Sequence, residues 1–249
     1  MGKTQSLNCF SHHAPKLDWM EQYFTFKNEF KEKNTLGSQM FSFFKRFLKD
    51  ADLLDDNGFT RFAEIISDIG LDENLSWALM LANLAYNPQI GWYICNISFG
   101  ETMSKEYVCS MLVDSGADEK WVNDVWSSLA RILDLPFSHV GLGEMVKEKN
   151  KAVALYRTGW QVPDERVILY SLYQFSEKCG NFKQFTLTRL LDTSIESEGI
   201  SPTQIFGLNR DTMEKILNGL TFNYPDLIEA RFTLGLDNIT LKSDKSAEE

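Results

Sequence analysis

Histidine, proline and cysteine are scarce in this 249-residue chain, with three, six and four copies, and each shortage closes off a class of protein. Cys9, Cys95, Cys109 and Cys179 stand far apart with no CxxC pair. That excludes a disulfide-stapled scaffold and a paired-cysteine zinc module, and it fits reduced, buried thiols. The low proline and glycine content excludes collagen-like and low-complexity linker sequence. The longest apolar run, Trp77–Tyr86, is half the roughly 20 residues that cross a bilayer. No charged-then-apolar leader opens the chain, so a cytoplasmic protein is expected. MGKTQS fits the short pattern for N-myristoylation, a match common by chance, and is not counted as an anchor. Basic residues are also short in supply. Lys and Arg number 25 against 35 Asp and Glu, a net charge of -10 that disfavours non-specific association with phosphate backbones.

The charge is uneven. Residues 1–49 carry eight basic and four acidic side chains, a local +4, which leaves -14 for the other 200 residues. Aromatics are plentiful, with 18 Phe, 6 Trp and 8 Tyr, enough for well-filled cores. The pattern is mainly helical. In Leu36–Leu54 the apolar residues Met40, Phe43, Phe44, Phe47, Leu48 and Ala51 recur at helical spacing, and Asp55-Asp56-Asn57-Gly58 stops the run. Further helices are expected over Phe59–Ile66, Glu73–Tyr86, Ser104–Leu112 and Glu119–Leu133, the last with Trp121, Val125, Leu129 and Ile132 on its apolar side, while Pro88–Ile97 is apolar and rich in aromatics. MVKEKNKAVALYRTGW reads as a hairpin turning at Glu148–Lys151. A helix from Pro163 to about Lys178 and another over Thr186–Leu191 follow, and the tail after Leu241 is expected to fray. Pro and Gly cluster in Leu135–Gly143, which suggests two domains, 1–135 and 136–249. The sequence has no repeat at a fixed period.

Catalytic motifs are looked for and not found. Gly2-Lys3-Thr4 resembles the end of a phosphate-binding loop but has no room for the upstream glycine and strand. Gly141–Val146 has two of the three glycines of a dinucleotide fingerprint and lacks its strand-helix setting. In Leu53–Glu64, Asp55, Asn57, Gly58 and Glu64 match positions of a calcium loop, yet Leu53 and Arg61 stand where oxygen ligands belong. A turn followed by a helix cap is the better reading. Glu196 and Glu198 read as solvated loop charges rather than as an acid-base pair. Cys9, His12 and His13 form the most metal-like cluster, with His139 as a distant fourth candidate. Adjacent histidines seldom both reach one ion, so this remains an alternative reading, as a metal-dependent enzyme. No cofactor is expected.

Two helix-turn-helix candidates carry the functional argument. Ser201-Pro202 caps a short helix, Gly207-Leu208 turns, and Asn209 caps Arg210–Leu220. Two alternating runs then flank Leu234–Asn238, the order of a winged helix-turn-helix. From Ser201 to Lys242 four basic residues face five acidic ones. A DNA-reading helix needs unopposed Arg or Lys, so Arg210, Glu214 and Lys215 point to a protein partner. Leu36–Leu54 differs: opposite its apolar stripe lie Gln39, Ser42, Lys45, Arg46 and Lys49, with Lys27, Lys31 and Lys33 upstream. A polar first half with cations further along suits a groove-docking helix. These two longer helices, Leu36–Leu54 and Asn209–Leu220, form a loose architectural echo.

FSHH, LGSQMFSFFKRFLKDADLL, LSWALMLANLAYNPQIGWYICNIS, YRTGWQVPDERVILYSLYQFSE, FTLTRLLD, IESEGISPTQIFGLNRDTMEKILNGL and GLDNITL together resemble the domain-of-unknown-function 4007 family over nearly the whole chain. The start departs from the family pattern at His13-Ala14-Pro15. The resemblance implies a bacterial accessory protein encoded beside enzymes similar to phosphoadenosine-phosphosulfate reductases, in DNA phosphorothioation or phage-defence loci. It supplies no catalytic residues. The resulting expectation is a mainly α fold with small β-hairpins and winged helix-turn-helix-like units packed together. Its function would be a non-enzymatic DNA-binding or adaptor subunit of such a system. The expected partners are DNA and a protein such as a phosphoadenosine-phosphosulfate-reductase-like enzyme. A site-specific transcriptional regulator is the further alternative.

Overall fold

The computed structural model describes residues 6–194, 197–233, 236–242 and 244–247. Residues 1–5 of the myristoylation-like start, with Gly2–Thr4 among them, Glu196, Leu234-Gly235 and parts of the tail lie outside the described residues. The chain divides into two units, Met1–Thr158 and Gly159–Glu249. Both combine helices with one three-stranded antiparallel sheet.

The first unit contains α1 (Leu17–Phe26), a 3-10 turn Lys27–Glu29, α2 (Phe30–Lys33), α3 (Ser38–Asp50), α4 (Arg61–Ile69), α5 (Asn74–Leu84) and α6 (Pro88–Asn96). It continues with β1 (Thr102–Ser104), α7 (Lys105–Asp114), a 3-10 turn Glu119–Trp121, α8 (Val122–Leu133), a 3-10 turn Pro136–Val140, β2 (Glu144–Glu148) and β3 (Lys151–Tyr156). Helix α3 forms because its apolar residues fall on one stripe: Phe44, Phe47 and Leu48 are buried, and the Phe44 ring meets those of Trp19, Tyr23 and Phe30 edge-on. Each such side chain contributes about 1.5–3 kcal/mol by leaving water. The helix ends where Leu53 and Leu54 both donate to the Leu48 carbonyl and Asp52 takes a φ of 59°. Asp55 Oδ1 then accepts the amides of Asn57 and Gly58 at 2.6 and 2.9 Å, and Thr60 caps α4 by accepting from Ala63 N. The calcium-like stretch is therefore the turn and cap expected of it. The apolar Trp77–Leu84 run is a core helix buried on most sides.

Two sequence expectations change here. The boundary after residue 135 moves to Thr158, because β3 pairs with both β2 and β1, which binds the expected hairpin into the first unit. The Leu135–Gly143 stretch, rich in Pro and Gly, is no linker: Phe137 and Val140 are fully buried, and the Phe137 ring meets Trp77 edge-on at 4.9 Å. Trp121, assigned to the apolar stripe of α8, is 44% exposed. It sits in the preceding 3-10 turn, off the helical register, with Lys120 Nζ 5.4 Å from its ring. Val122, Val125, Trp126, Leu129 and Ile132 make the stripe.

The second unit contains α9 (Glu165–Lys178), β4 (Gln184–Thr186), α10 (Leu187–Leu191), α11 (Pro202–Phe206), α12 (Arg210–Asn223), β5 (Ile228–Thr233) and β6 (Leu236–Leu241). Ser201 and Asn209 cap α11 and α12 as expected, accepting from Thr203 N and Thr212 N. Between them Gly207 takes a left-handed φ of 64°, which an L side chain adopts only with strain. Strands β5 and β6 pair from Ile228↔Leu241 to Thr233↔Leu236.

The units share a plan that the sequence pattern does not reveal. In the first, α6, β1, α7, α8, β2 and β3 build a sheet of order β1-β3-β2. In the second, α9, β4, α10, α11, α12, β5 and β6 build the corresponding order β4-β6-β5. The short first strand of each sheet buries its middle residue, Met103 or Phe185. Its last residue then caps the next helix: Ser104 accepts from Tyr107 N at 3.2 Å, and Thr186 from Arg189 N at 3.0 Å. The counterpart of α12 in this plan is α8, not the Leu36–Leu54 helix suggested by the echo in the sequence.

Candidate nucleic-acid interface

The outward face of α3 carries every residue assigned to nucleic acid from the sequence: Gln39, Ser42, Lys45, Arg46 and Lys49 are all exposed. Amphipathicity forces this, since Phe44, Phe47 and Leu48 turn the opposite face into the core. The three cations are not equivalent. Arg46 Nε donates to Asp50 at 3.0 Å, and Asp50 in turn accepts from the buried Asn87 amide at 2.6 Å. Arg46 Nη2 also approaches the Cys9 thiol at 3.8 Å. Arg46 is thus partly a structural residue. Lys49 Nζ donates to Asp56 at 2.5 Å, and this exposed bond holds the Asp56 carboxyl below its ordinary range. Lys45 makes no ion pair among the described residues.

Beside this face, a cavity of about 330 Å³ opens between the α1–α2 segment, α3 and the 54–58 turn. Lys27, Lys31 and Lys45 line it together with Asp55 and Asp56. Lys27 and Lys31 were noted in the sequence only as cations preceding the helix. Their convergence with Lys45 depends on the reversal of the chain between α1 and α3, which no helical periodicity reports. A larger cleft of about 530 Å³ lies in the second unit, walled by Phe175, Phe182 and Phe185. Cys179 and Glu198 line it, neither of them assigned a role from the sequence, and volume alone does not make it a site.

Cys9, His12 and His13 do not assemble as a metal centre. Cys9 is buried, its thiol donates to Ser6 O at 3.4 Å, and burial pushes its pKa up, away from the thiolate a metal needs. The two imidazoles lie against each other, tilted, with centroids 4.1 Å apart, and His13 lies 5.4 Å from Phe43. Burial, then the neighbouring His12, lowers the His13 pKa. His139 is exposed in the Pro136–Val140 turn. Among the described residues, no group of three His, Cys, Asp or Glu side chains is placed to hold a metal ion.

In the second unit, Arg210 is tied down. Its Nη1 faces Glu214 at 3.3 Å and Asp237 at 3.4 Å, and its Nη2 donates to Thr188 at 3.0 Å. Asp237 also accepts the amide and hydroxyl of Thr188, both at 3.0 Å. Burial works to raise the Asp237 pKa, but these hydrogen bonds and the Arg210 charge outweigh it and hold the carboxyl below its ordinary range. Lys215 and Asn218 remain exposed on α12. Farther along, Phe222 is 86% exposed, a feature missed from sequence because Phe222 lies two residues past the end of the periodic stripe.

No helix among the described residues is long and apolar enough to cross a membrane. No family model, curated protein or solved structure matches the chain.

Proposed function

We propose that this protein is a non-enzymatic DNA-binding or adaptor subunit, in which the outward face of α3 meets duplex DNA and the second unit holds a protein partner. The observation that carries the reading is the contrast between two amphipathic helices in an acidic chain. Helix α3 presents Gln39, Ser42 and an unpaired Lys45, with Lys49 held only by a solvent-exposed bond. Helix α12 has its leading cation, Arg210, neutralised by Glu214 and Asp237. Cations available to phosphate supply the bulk of non-specific DNA affinity, so the first face suits DNA and the second does not. The order α11, turn, α12 and hairpin β5–β6, with its β4-β6-β5 sheet, supports a winged helix-turn-helix reading of the second unit. Exposed Phe222, on the same helix as Lys215, gives that unit an apolar anchor of the kind protein interfaces use. The resemblance to the domain-of-unknown-function 4007 family favours a role in a bacterial DNA-modification or phage-defence system, with a phosphoadenosine-phosphosulfate-reductase-like enzyme as the partner.

The test is fluorescence anisotropy with a labelled DNA duplex across a salt series, comparing the natural chain with Lys45→Glu/Lys49→Glu. Arg46 is left in place because it supports Asp50. The expected result is a steep fall of affinity with salt in the natural chain, and a slope shallower by about 0.9 for each phosphate contact removed. Equal affinity and slope in both proteins would exclude this face. For the adaptor role, Phe222→Ser should abolish co-purification with the reductase-like enzyme while leaving duplex binding intact.

A further inference from the structure

The cavity beside α3 has the makings of a binding site that the DNA-facing reading does not use. Four observations converge on it. Lys27, Lys31 and Lys45 come from three different segments to line a single cavity of about 330 Å³. None of them forms an ion pair among the described residues, whereas their neighbours Lys33 and Lys49 do, with Glu29 and Asp56. The two carboxylates in the wall are already engaged. Asp56 is held by Lys49, and Asp55 turns both oxygens into its own turn, Oδ1 to the Asn57 and Gly58 amides and Oδ2 to the Asn57 side chain at 3.3 Å. Counting Lys49, four cations face two carboxylates, a local +2 in a chain of net charge -10.

The backbone supports the same conclusion. Lys27 takes φ 49° and ψ -123°, a strained conformation for a lysine that persists only where its surroundings fix it. Here Asn28 Oδ1 accepts the Phe59 amide at 2.8 Å, and the Lys27 amide donates to the Tyr23 carbonyl, so the segment is pinned against the 54–58 turn. The pinned backbone places Lys27 in the cavity lining. The same cavity also has an apolar lining, formed by Phe41, Leu48 and Leu54 with the buried Tyr23 and Phe30. Cations and an apolar wall in one cavity fit a phosphate ester whose body is flat and apolar. The volume is within the range of small-molecule sites and exceeds what a bare anion fills.

We propose that this cavity binds a nucleotide, its phosphate held by Lys27, Lys31 and Lys45 and its base or sugar against the Phe41–Leu54 wall. The same chemistry is offered by a free nucleotide and by a nucleotide unit of a DNA strand. The site shares Lys45 with the DNA-facing surface but stands or falls separately from it.

The experiment uses the intact chain and Lys31→Ala/Lys45→Ala, titrated by calorimetry with adenosine 5′-monophosphate, with inorganic phosphate and with a ten-residue single-stranded DNA. Thermal melts of both proteins confirm that these surface substitutions leave the fold intact. Binding of adenosine monophosphate, weakened at least tenfold in the variant, supports a free-nucleotide site. Binding of the oligonucleotide alone, with the same tenfold dependence, supports a strand-derived nucleotide. Binding of inorganic phosphate as tightly as the nucleotide would remove any role for the apolar wall and overturn the proposal. So would the absence of binding by either nucleotide probe, or binding indifferent to the two lysines. Duplex binding that persists in those last cases leaves the α3 reading standing. Nucleotide binding without duplex binding sinks that reading and leaves this one.

Discussion

Arg210 at the start of α12 and Asp237 at the start of β6 lie 3.4 Å apart, joined through Thr188 of α10. Three elements that are remote in sequence meet at one carboxylate. The consequence is both structural and functional: the cation that a groove-reading helix would present at its N-terminal end is consumed in holding the helix to the sheet.

Asp237→Asn should therefore destabilise the second unit by about 1–2 kcal/mol at neutral pH, the scale of hydrogen bonds to a charged group. The sign of the pH dependence follows from the depressed pKa of Asp237. Its contribution is fully present above the unfolded-state pKa of about 3.9 and is lost as pH falls through the lower folded-state pKa. Urea titrations of the two proteins from pH 7 to pH 2 should converge at the acid end. A stability gap that stays constant over that range would refute the assignment.

Arg157 makes a second testable case in the first unit. It is fully buried, with its guanidinium 3.8 Å from the Phe99 ring and Nη1 donating to the carbonyls of Ile94 and Ile97 at the C-terminal end of α6. Burial lowers its pKa to about 10, which leaves it charged at neutral pH. Cations at a helix C-terminus complement the dipole and satisfy carbonyls that have no intrahelical donor. Arg157→Met keeps much of the volume and removes the donors, so a loss of about 2–3 kcal/mol is expected in denaturant unfolding. An unchanged midpoint would mean that packing alone holds this corner.

Gly143, where the chain enters β2, has φ 127°, and a Cβ there would lie 2.7 Å from the Tyr93 hydroxyl and 2.8 Å from the Tyr156 carbonyl. The Tyr93 hydroxyl cannot swing away without losing its 2.8 Å bond to the Leu142 carbonyl. Gly143→Ala should cost about 2 kcal/mol or more, combining strain with a backbone clash. Hydrogen exchange should report the loss in β2 and β3 before it appears in α3.

How much of this was legible in the sequence follows from the range over which each signal acts. Helix α3, the α11–α12 pair and their caps were readable because periodicity and capping are local: Phe44, Phe47 and Leu48 mark a face, and Ser201 and Asn209 mark starts. Strands β1 and β4 were not, because three residues carry no alternation. Only the polar-apolar-Ser/Thr pattern before a helix, Thr102-Met103-Ser104 and Gln184-Phe185-Thr186, hints at them. The domain boundary was misplaced because Pro136 and Gly141 mark a tight buried turn as readily as a linker. At the candidate site, the exposure of Lys45, Arg46 and Lys49 was readable, but their partners were not. Asp50 is one helical turn from Arg46 and visible in principle, whereas Asp56 reaches Lys49 only because the chain reverses at Asp52.

That last pair gives a prediction in the direction of gain. Lys49 and Asp56 form a bond at the surface, with Asp56 almost fully exposed, so their attraction is screened and contributes little to the fold. For DNA docking on α3, however, Asp56 acts as an internal competitor for a cation that phosphate would otherwise take. Asp56→Asn removes the competitor and one negative charge from the approach surface. Affinity for duplex DNA should rise severalfold at low salt, the salt slope should steepen by about 0.9 as Lys49 becomes available to phosphate, and the melting temperature should not change. The double variant Asp56→Asn/Lys49→Ala should lose the extra slope. If Asp56→Asn binds DNA no better than the natural chain, Lys49 is not a phosphate contact, and the DNA-facing surface of α3 reduces to Lys45 and its polar neighbours.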